Sequence, residues 1–480
     1  MSTLATGAYV PPDGSIPTLD VPSLQGVAKV HLIGAGGAGM RNLARLFLAR
    51  GIAVDGSDLK ETKGVRELRD LGARIEIGHD RAHLAGADAV VISSAIAPTN
   101  VERVAAEAAG VPVWRRQQAI AALAAGRRVV SVAGTHGKTT TTSLVAVSLE
   151  RAGLDPTYLV GGDLNESGSG AAHGEGDLFV FEADESDGSF LLVPPSIGVI
   201  TNIELDHVDF YPGGFDEIVA AFAAFDARCG HVVAFGDDAD VRAALAAAGV
   251  GATTYGMRAD NDLVVTADAL GPTGARGRVR VDGREVDVSL AVDGAHNLLN
   301  AAAAIGVARA CGVDVADAAA SLASFAGVHR RFERRGHARG ADFYDDYGHT
   351  PTEMRVTIET ARRREPQRLI AVVQPHRYSR VQALWRQLGA SVTGADVVVV
   401  TDVYGAAQDP IPGITGKLVV DGVQLAEPGR RTVYLPHRRD VVAFLDREVR
   451  EGDLVVTMGC GDVWMVGDAA LERIRERDGG

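Results

Sequence analysis

Two patterns of apolar positions alternate along this chain. Runs of four to eight apolar residues are followed by longer stretches in which Ala, Leu and Arg recur at helical spacing, which is how βαβ units read in sequence. The first block predicts strands at Lys29–Ile33, Ile52–Asp55 and Ala89–Ser93, with helices at Gly39–Arg50 and Thr62–Leu71. The second opens with a strand at Arg128–Val132 and a helix over Lys138–Ala152, then strands at Leu178–Glu182, Ile197–Thr201 and Val232–Phe235. Residues 262–293 alternate apolar and polar positions around Gly-rich turns, predicting an antiparallel insertion ahead of a helix at Asn297–Cys311. The third block predicts strands at Asp342–Asp345, Arg368–Val373, Asp396–Thr401, Thr432–Leu435 and Asp453–Thr457. The expected fold class is α/β, with three domains in series at 27–122, 123–328 and 329–480 behind a Pro-, Gly- and Ser-rich mobile tail, 1–26.

Composition agrees with this division, since 480 residues at roughly 150 per domain suggest three. A net charge of −14 and no long Lys/Arg run argue against nucleic acid or an anionic membrane as partner. No stretch of 18 apolar residues predicts a membrane span, and Met1–Leu24 lacks the basic start and apolar core of a signal peptide. Cys229, Cys311 and Cys460 are far apart and form no CxxC, so neither a disulfide framework nor a thiolate zinc site is expected. These readings predict a cytoplasmic protein. Only five of the 48 basic residues are Lys (Lys29, Lys60, Lys63, Lys138 and Lys417), which makes a lysine inside a glycine loop informative.

Two glycine loops join strands to helices. In the first, Gly34, Gly36, Gly37 and Gly39 open a helix whose N-terminus suits a pyrophosphate, and Asp55 follows at the end of the next predicted strand as a ribose partner. A nicotinamide dinucleotide and a UDP-sugar are both diphosphates, so the loop alone does not separate them. In the second, Gly134-Thr135-His136-Gly137-Lys138-Thr139-Thr140 follows a strand and opens a helix. Its backbone N–H groups can cradle phosphates, Lys138 can reach the β and γ phosphates, and Thr139 can ligate Mg²⁺. The usual P-loop would place its first Gly at 132, where this chain has Val.

Carboxylates crowd the end of the next strand, in Glu182-Ala-Asp184-Glu185-Ser-Asp187, and Asn202-Ile-Glu204-Leu-Asp206-His207 follows the one after. Such crowding is relieved by cations, and Mg²⁺ takes an oxygen-rich shell. With His207 at the edge of the same sheet, two cations would suit a transferring phosphoryl group.

These motifs resemble the Mur ligases of peptidoglycan synthesis. Asp345-Asp-Tyr-Gly-His-Thr-Pro-Thr-Glu353 and Gln374-Pro-His-Arg-Tyr-Ser-Arg380 add to the likeness, which runs from about residue 28 to 465. The branch most similar joins the lactyl carboxylate of UDP-N-acetylmuramate to L-alanine. The resemblance implies a Rossmann-like UDP-sugar-binding domain, a P-loop ATPase-type central domain that binds ATP, and a Rossmann-like C-terminal domain on the amino-acid side. It implies ATP and two Mg²⁺ ions as cofactors, with Lys138 on the phosphates and Thr139, Glu182 and His207 as metal ligands. Asn300 would contact adenine, and Arg331 the ribose and phosphates. Tyr347, His349, Arg377 and Arg380 would face the reaction centre, with the separate roles of the two arginines left open. UDP-N-acetylmuramate and L-alanine would be the partners, with no nucleic acid or membrane, and the enzyme a monomer or homodimer. The chain departs from the family's common pattern at Thr350, often a second His, and at Cys460, often Ala. No Lys lies between Lys138 and Lys417, so the carbamoylated lysine of some sister ligases is absent.

The chemistry these residues suggest is activation of a carboxylate as an acyl phosphate. Two anions ~4 Å apart repel by ~4 kcal/mol at an effective dielectric of 20, which Lys138 and the cations would offset. Such an intermediate must be kept dry, so closure of the third domain about a hinge near Ala326–Arg339 is expected. The rival readings are a nicotinamide oxidoreductase, a muropeptide-recycling ligase and a non-catalytic nucleotide sensor.

Overall fold

The computed structural model describes residues 20–479, except 94, 187, 208, 209 and 407. Residues 1–19 of the expected tail lie outside the described residues.

Three sheets succeed one another along the chain. The first comprises β1 (Lys29–Ile33), β2 (Ala53–Asp58), β3 (Arg74–Ile77), β4 (Ala89–Ile92) and β5 (Val113–Arg115), all parallel in the order β3-β2-β1-β4-β5. The order reverses between β1 and β4, and a ligand crevice belongs at the carboxyl ends of the strands there. The central sheet has β6 (Arg128–Ala133), β7 (Thr157–Leu159), β8 (Ala171–Ala172), β9 (Leu178–Glu182), β10 (Ile197–Ile200), β11 (His231–Phe235), β12 (Thr253–Gly256), β13 (Leu263–Gly271), β14 (Gly274–Val281) and β15 (Arg284–Leu290). Its order is β15-β14-β13-β12-β11-β10-β6-β9-β7-β8. The predicted antiparallel insertion is β13–β15, but it is no separate unit. Because β13 pairs in parallel with β12, the insertion extends the central sheet. The third sheet has β16 (Glu333–Ala338), β17 (Ala341–Asp346), β18 (Arg368–Val373), β19 (Val397–Val400), β20 (Arg431–Tyr434) and β21 (Asp453–Met458), ordered β16-β17-β21-β18-β19-β20 with only β16 antiparallel.

The core explains the composition. The helix Ala295–Ala310 lies against the helix Lys138–Arg151, and Ala301 to Ala304 are fully buried between it and the sheet. Small side chains let these layers approach closely, so few aromatic residues are needed. Strands such as β19, four buried valines, are the uninterrupted β-branched runs of a sheet covered on both faces.

Two expectations need correction. Strand β2 runs three residues beyond Asp55, so Asp55 is not at its carboxyl end. The expected hinge, Ala326–Arg339, contains β16, which is hydrogen-bonded to β17 and so belongs to the third sheet. What remains for a hinge is 326–332, which carries the Leu164–Val328 bridge and left-handed backbone at Arg330 (φ 61°) and Phe332 (φ 47°).

Candidate active site

The phosphate loop leaves β6 at Gly134 and enters the helix Lys138–Arg151 through Gly137, whose φ of 78° lies in the left-handed region that favours glycine. The loop is held from behind by Asn202, whose carbonyl accepts from the Thr135 N–H at 3.0 Å and whose side chain accepts from the His136 N–H at 2.8 Å. The Lys138 ammonium donates to the Gly134 carbonyl at 2.6 Å and sits 2.8 Å from Glu185. Burial disfavours its charge, but Glu185, Asp184 and Glu182 outweigh that and raise its pKa, so it stays cationic. Thr139 donates to Glu182 at 3.1 Å, and Glu182 also accepts the Gly161 N–H at 2.8 Å.

His207 lies 3.6 Å from both Glu185 and Asp206. Its Nδ1 is buried without a hydrogen-bond partner among the described residues. Lys138, Thr139, Glu182 and His207 line one cavity of about 200 Å³, together with Tyr347, His349, Arg377 and Arg380 from the third domain. Hydroxyl and carboxylate oxygens at Thr139 and Glu182 suit a hard cation, and the orphaned His207 nitrogen suits a second.

The third domain reaches this cavity through polar bridges. Arg380 grips Asp206 through both carboxylate oxygens, at 2.7 and 2.9 Å; burial disfavours the Asp206 charge, but His207 and Arg380 together outweigh that and hold the carboxyl below its ordinary range. Arg331 donates to the Thr139 hydroxyl at 3.1 Å. His136 lies 3.0 Å from Glu204 and 3.5 Å from Glu353, and Thr352 donates to Glu204 at 2.9 Å. Burial works against the His136 charge, but the two carboxylates raise its pKa to about 9. His349 is pushed down to about 4 by burial, so it is neutral near pH 7. The backbone of Arg377 has φ 61° where it starts the helix Tyr378–Ser391.

A second cavity, about 710 Å³, opens beside the loop and is lined by His136, Gly137, Thr140, Asn300 and Arg331. Asn300 approaches Gly137 so closely that a Cβ there would lie 3.2 Å from its Oδ1. Asp293, in the same wall, is buried with neither carboxylate oxygen hydrogen-bonded among the described residues.

In the first domain, Gly34, with φ 80°, turns the chain out of β1, and Gly37 starts the helix Ala38–Ala49. The Gly36 N–H donates to Asp58 at 2.9 Å. A Cβ on Gly39 would meet Arg116 at 2.8 Å, and Arg116 approaches Asp184 of the central domain at 3.8 Å. Asp55, expected at this loop, instead faces Lys29 at 3.2 Å and Arg74 at 2.8 Å, residues at the amino ends of β1 and β3. The acid at the loop is Asp58, because β2 is longer than the apolar pattern indicates.

Sequence reasoning missed Glu185, Asp206, Glu204, Glu353, Asp293 and Asp58 as site residues. The first three lie inside motifs already singled out, and crowding of charge was their signal. Glu353 closes the Asp345–Glu353 motif but, like Asp293, carries no local mark of its role, because only the folded chain shows what the two face.

Three family models match in succession: the Mur ligase family catalytic domain at 29–128, the Mur ligase middle domain at 132–308, and the Mur ligase glutamate ligase domain at 330–461. The chain belongs to the Mur ligase family. It is 44% identical to the UDP-N-acetylmuramate–L-alanine ligase of Saccharopolyspora erythraea, covering 99% of this chain and 98% of that one. It is also 44% identical to the enzyme of that name from Paenarthrobacter aurescens, over 95% and 99%. Among solved structures, the UDP-N-acetylmuramate–alanine ligase of Thermotoga maritima superposes with a TM-score of 0.80 at 28% identity, over 94% and 99% of the two chains. A murein peptide ligase of Psychrobacter arcticus gives 0.70 at 26%, over 93% and 98%. The three-domain α/β architecture of this Mur ligase is thus shared along nearly its whole length.

Proposed function

We propose that the chain is an ATP-dependent ligase that forms an amide between the lactyl carboxylate of UDP-N-acetylmuramate and L-alanine, through an acyl phosphate, in peptidoglycan precursor synthesis in the cytoplasm. The observation that carries this reading is the convergence of Lys138, Thr139, Glu182 and His207 on one cavity, in a chain that alanine-adding ligases match end to end. Thr139 and Glu182 would hold one Mg²⁺ and His207 a second; when bound, these ions supply the positive charge that lets a carboxylate meet a phosphoryl group. Lys138 exchanges its contacts with Gly134 and Glu185 for phosphate oxygens, and the N–H groups at the helix N-terminus cradle them. Arg331 closes over the phosphates from the third domain, with its hydrogen bond to Thr139 as the guide. The uridine diphosphate takes the loop Gly34–Gly39 with Asp58.

Arg380, already committed to Asp206, acts as the clamp that holds the third domain against the centre. Arg377 is assigned to the anionic end of the amino acid, its fork suiting a carboxylate. The neutral His349 imidazole lets the amine approach without repulsion.

Phosphate release with each substrate omitted in turn tests the reading. Release is expected only with ATP, Mg²⁺, UDP-N-acetylmuramate and L-alanine together. Steady release without the UDP-sugar would contradict it, and a tripeptide outcompeting L-alanine would favour the muropeptide-recycling alternative.

A further inference from the structure

We propose that His349, His376 and Cys460 form a binding site for a soft divalent cation, with zinc its best occupant, and that filling it blocks the amino-acid side of the cleft; the blocking role rests on the function proposed above. The three residues are 111 and 84 positions apart (460 − 349 and 460 − 376), so no cysteine–histidine spacing announces them. The sheet order brings them together. His349 follows β17, Cys460 follows β21 and His376 follows β18, and these are neighbouring parallel strands with β21 in the middle. Neighbouring strands lie about 4.8 Å apart. One ring nitrogen from each histidine and the Cys460 Sγ all lie within 4.8 Å of one another. All three sit on one domain, so the site does not depend on how the domains are set.

The donor chemistry suits zinc. Bonds of about 2.0–2.3 Å place tetrahedral nitrogen and sulfur ligands about 3.5 Å apart, so the three atoms need to draw in by little more than an ångström. Within hydrogen-bond reach of the His349 Nδ1 is the Tyr347 carbonyl, at 3.1 Å. A carbonyl only accepts, so Nδ1 carries the proton and Nε2 keeps its lone pair; a backbone carbonyl behind a ligand histidine is the usual orienting partner. Burial keeps the His376 imidazole deprotonated as well. Its Nδ1 accepts from Arg380 at 3.0 Å, a contact that metal binding would break, while Arg380 keeps its three bonds to Asp206. On binding, the Cys460 S–H bond breaks, an S–Zn bond forms, and the proton leaves to solvent with no change of oxidation state. The thiolate, with Asp206 and Glu353 nearby, offsets the charges of Arg377 and Arg380. Mg²⁺ prefers oxygen ligands, so the metal of the reaction is a poor competitor here.

Titration of the full chain with Co²⁺, followed by displacement with Zn²⁺, tests the site. The wild type is expected to take up one equivalent with a thiolate-to-cobalt absorption band. Cys460→Ala should lose the band and bind zinc at least about tenfold more weakly, as should His376→Asn, while Cys229→Ala and Cys311→Ala keep it. With Mg²⁺ in excess, zinc should inhibit turnover and raise the KM for the amino acid; Cys460→Ala should keep its basal rate and lose that sensitivity. No band in the wild type, or a band that survives Cys460→Ala, overturns the site. A normal band with zinc-indifferent turnover overturns the blocking role. A normal band in a chain with no ligase activity overturns the proposed function and leaves the metal site standing.

Discussion

The molecule contains two glycine loops of nearly the same build and different chemical content. Each follows a parallel strand in mid-sheet and opens a helix, one through Gly37 and the other through Gly137. The first offers backbone N–H groups, one acid, Asp58, and the Arg116 side chain against Gly39. The second is packed with charge: Lys138 against Glu185, Thr139 against Glu182, and His136 between Glu204 and Glu353. A loop that only holds a diphosphate needs shape and a helix N-terminus. A loop where a phosphoryl group leaves must also neutralise charge that develops during the reaction, and preorganised charges do that at least cost.

The sharpest way to break this contrast is Lys138→Ala. Turnover should fall by about 10³-fold or more, while KM for the UDP-sugar changes little. Lys138→Arg should not restore the rate, since a planar fork cannot replace a compact ammonium in a space fitted to it. Part of any loss of stability would come from stranding Glu185. Lys138→Ala with Glu185→Gln should therefore recover the melting temperature without the activity.

One buried group beside each loop can be read at its own end of the pH scale, although Glu102 shares the acid end with depressed carboxylates beside the second loop such as Asp206. Beside the first loop, Glu102 is fully buried; burial disfavours its charge, but His31 at 3.6 Å and hydrogen bonds with Ser57 and His83 lower its pKa from 4.5 to about 2. A depressed acid stabilises the fold above its unfolded pKa, so this contribution is lost as pH falls from 4.5 through 2. His136 is raised from 6.5 to about 9. Its contribution is complete below 6.5 and lost as pH rises through 9. Each pH unit crossed inside a window is worth about 1.4 kcal/mol. Thermal unfolding of the ligand-free protein across pH should show both limbs, with Glu102→Gln flattening only the acid one and His136→Gln only the alkaline one. If both variants flatten the same limb, the charge assignments are wrong.

Much of this was legible in the apolar pattern. Strands β1 and β18 have the bounds the pattern predicts, because each apolar run is closed sharply, by Gly34 after one and Gln374 after the other. Strand β2 runs past its predicted end because Asp55-Gly-Ser-Asp58, which reads as a turn, pairs with β1 and β3, and Gly56 lies so close to the Leu32 carbonyl that a Cβ would meet it at 2.7 Å. Strand β16, Glu-Arg-Arg-Gly-His-Ala, has no apolar alternation and is held by pairing with β17. The phosphate loop could be read locally, since its residues are contiguous. The bridges Arg380–Asp206 and His136–Glu353 span 174 and 217 positions (380 − 206 and 353 − 136), and only the packing of two domains creates them.

The smallest effects should come from the two acids of β2, and they separate the loop from the strand that carries it. Asp58 accepts the Gly36 N–H, so Asp58→Ala frees the turn that presents the diphosphate site. KM for the UDP-sugar should rise about tenfold, about 1.4 kcal/mol, with kcat nearly unchanged, because no atom near Lys138 has moved. Asp55 is tied to Lys29 and Arg74 at the opposite end of the sheet. Asp55→Ala should leave KM unaltered and cost less than about 1 kcal/mol of stability, the range of partly exposed ion pairs. Should Asp55→Ala instead raise KM while Asp58→Ala does not, the diphosphate would have to approach from the amino ends of the strands, and the likeness between the two loops would be one of backbone alone.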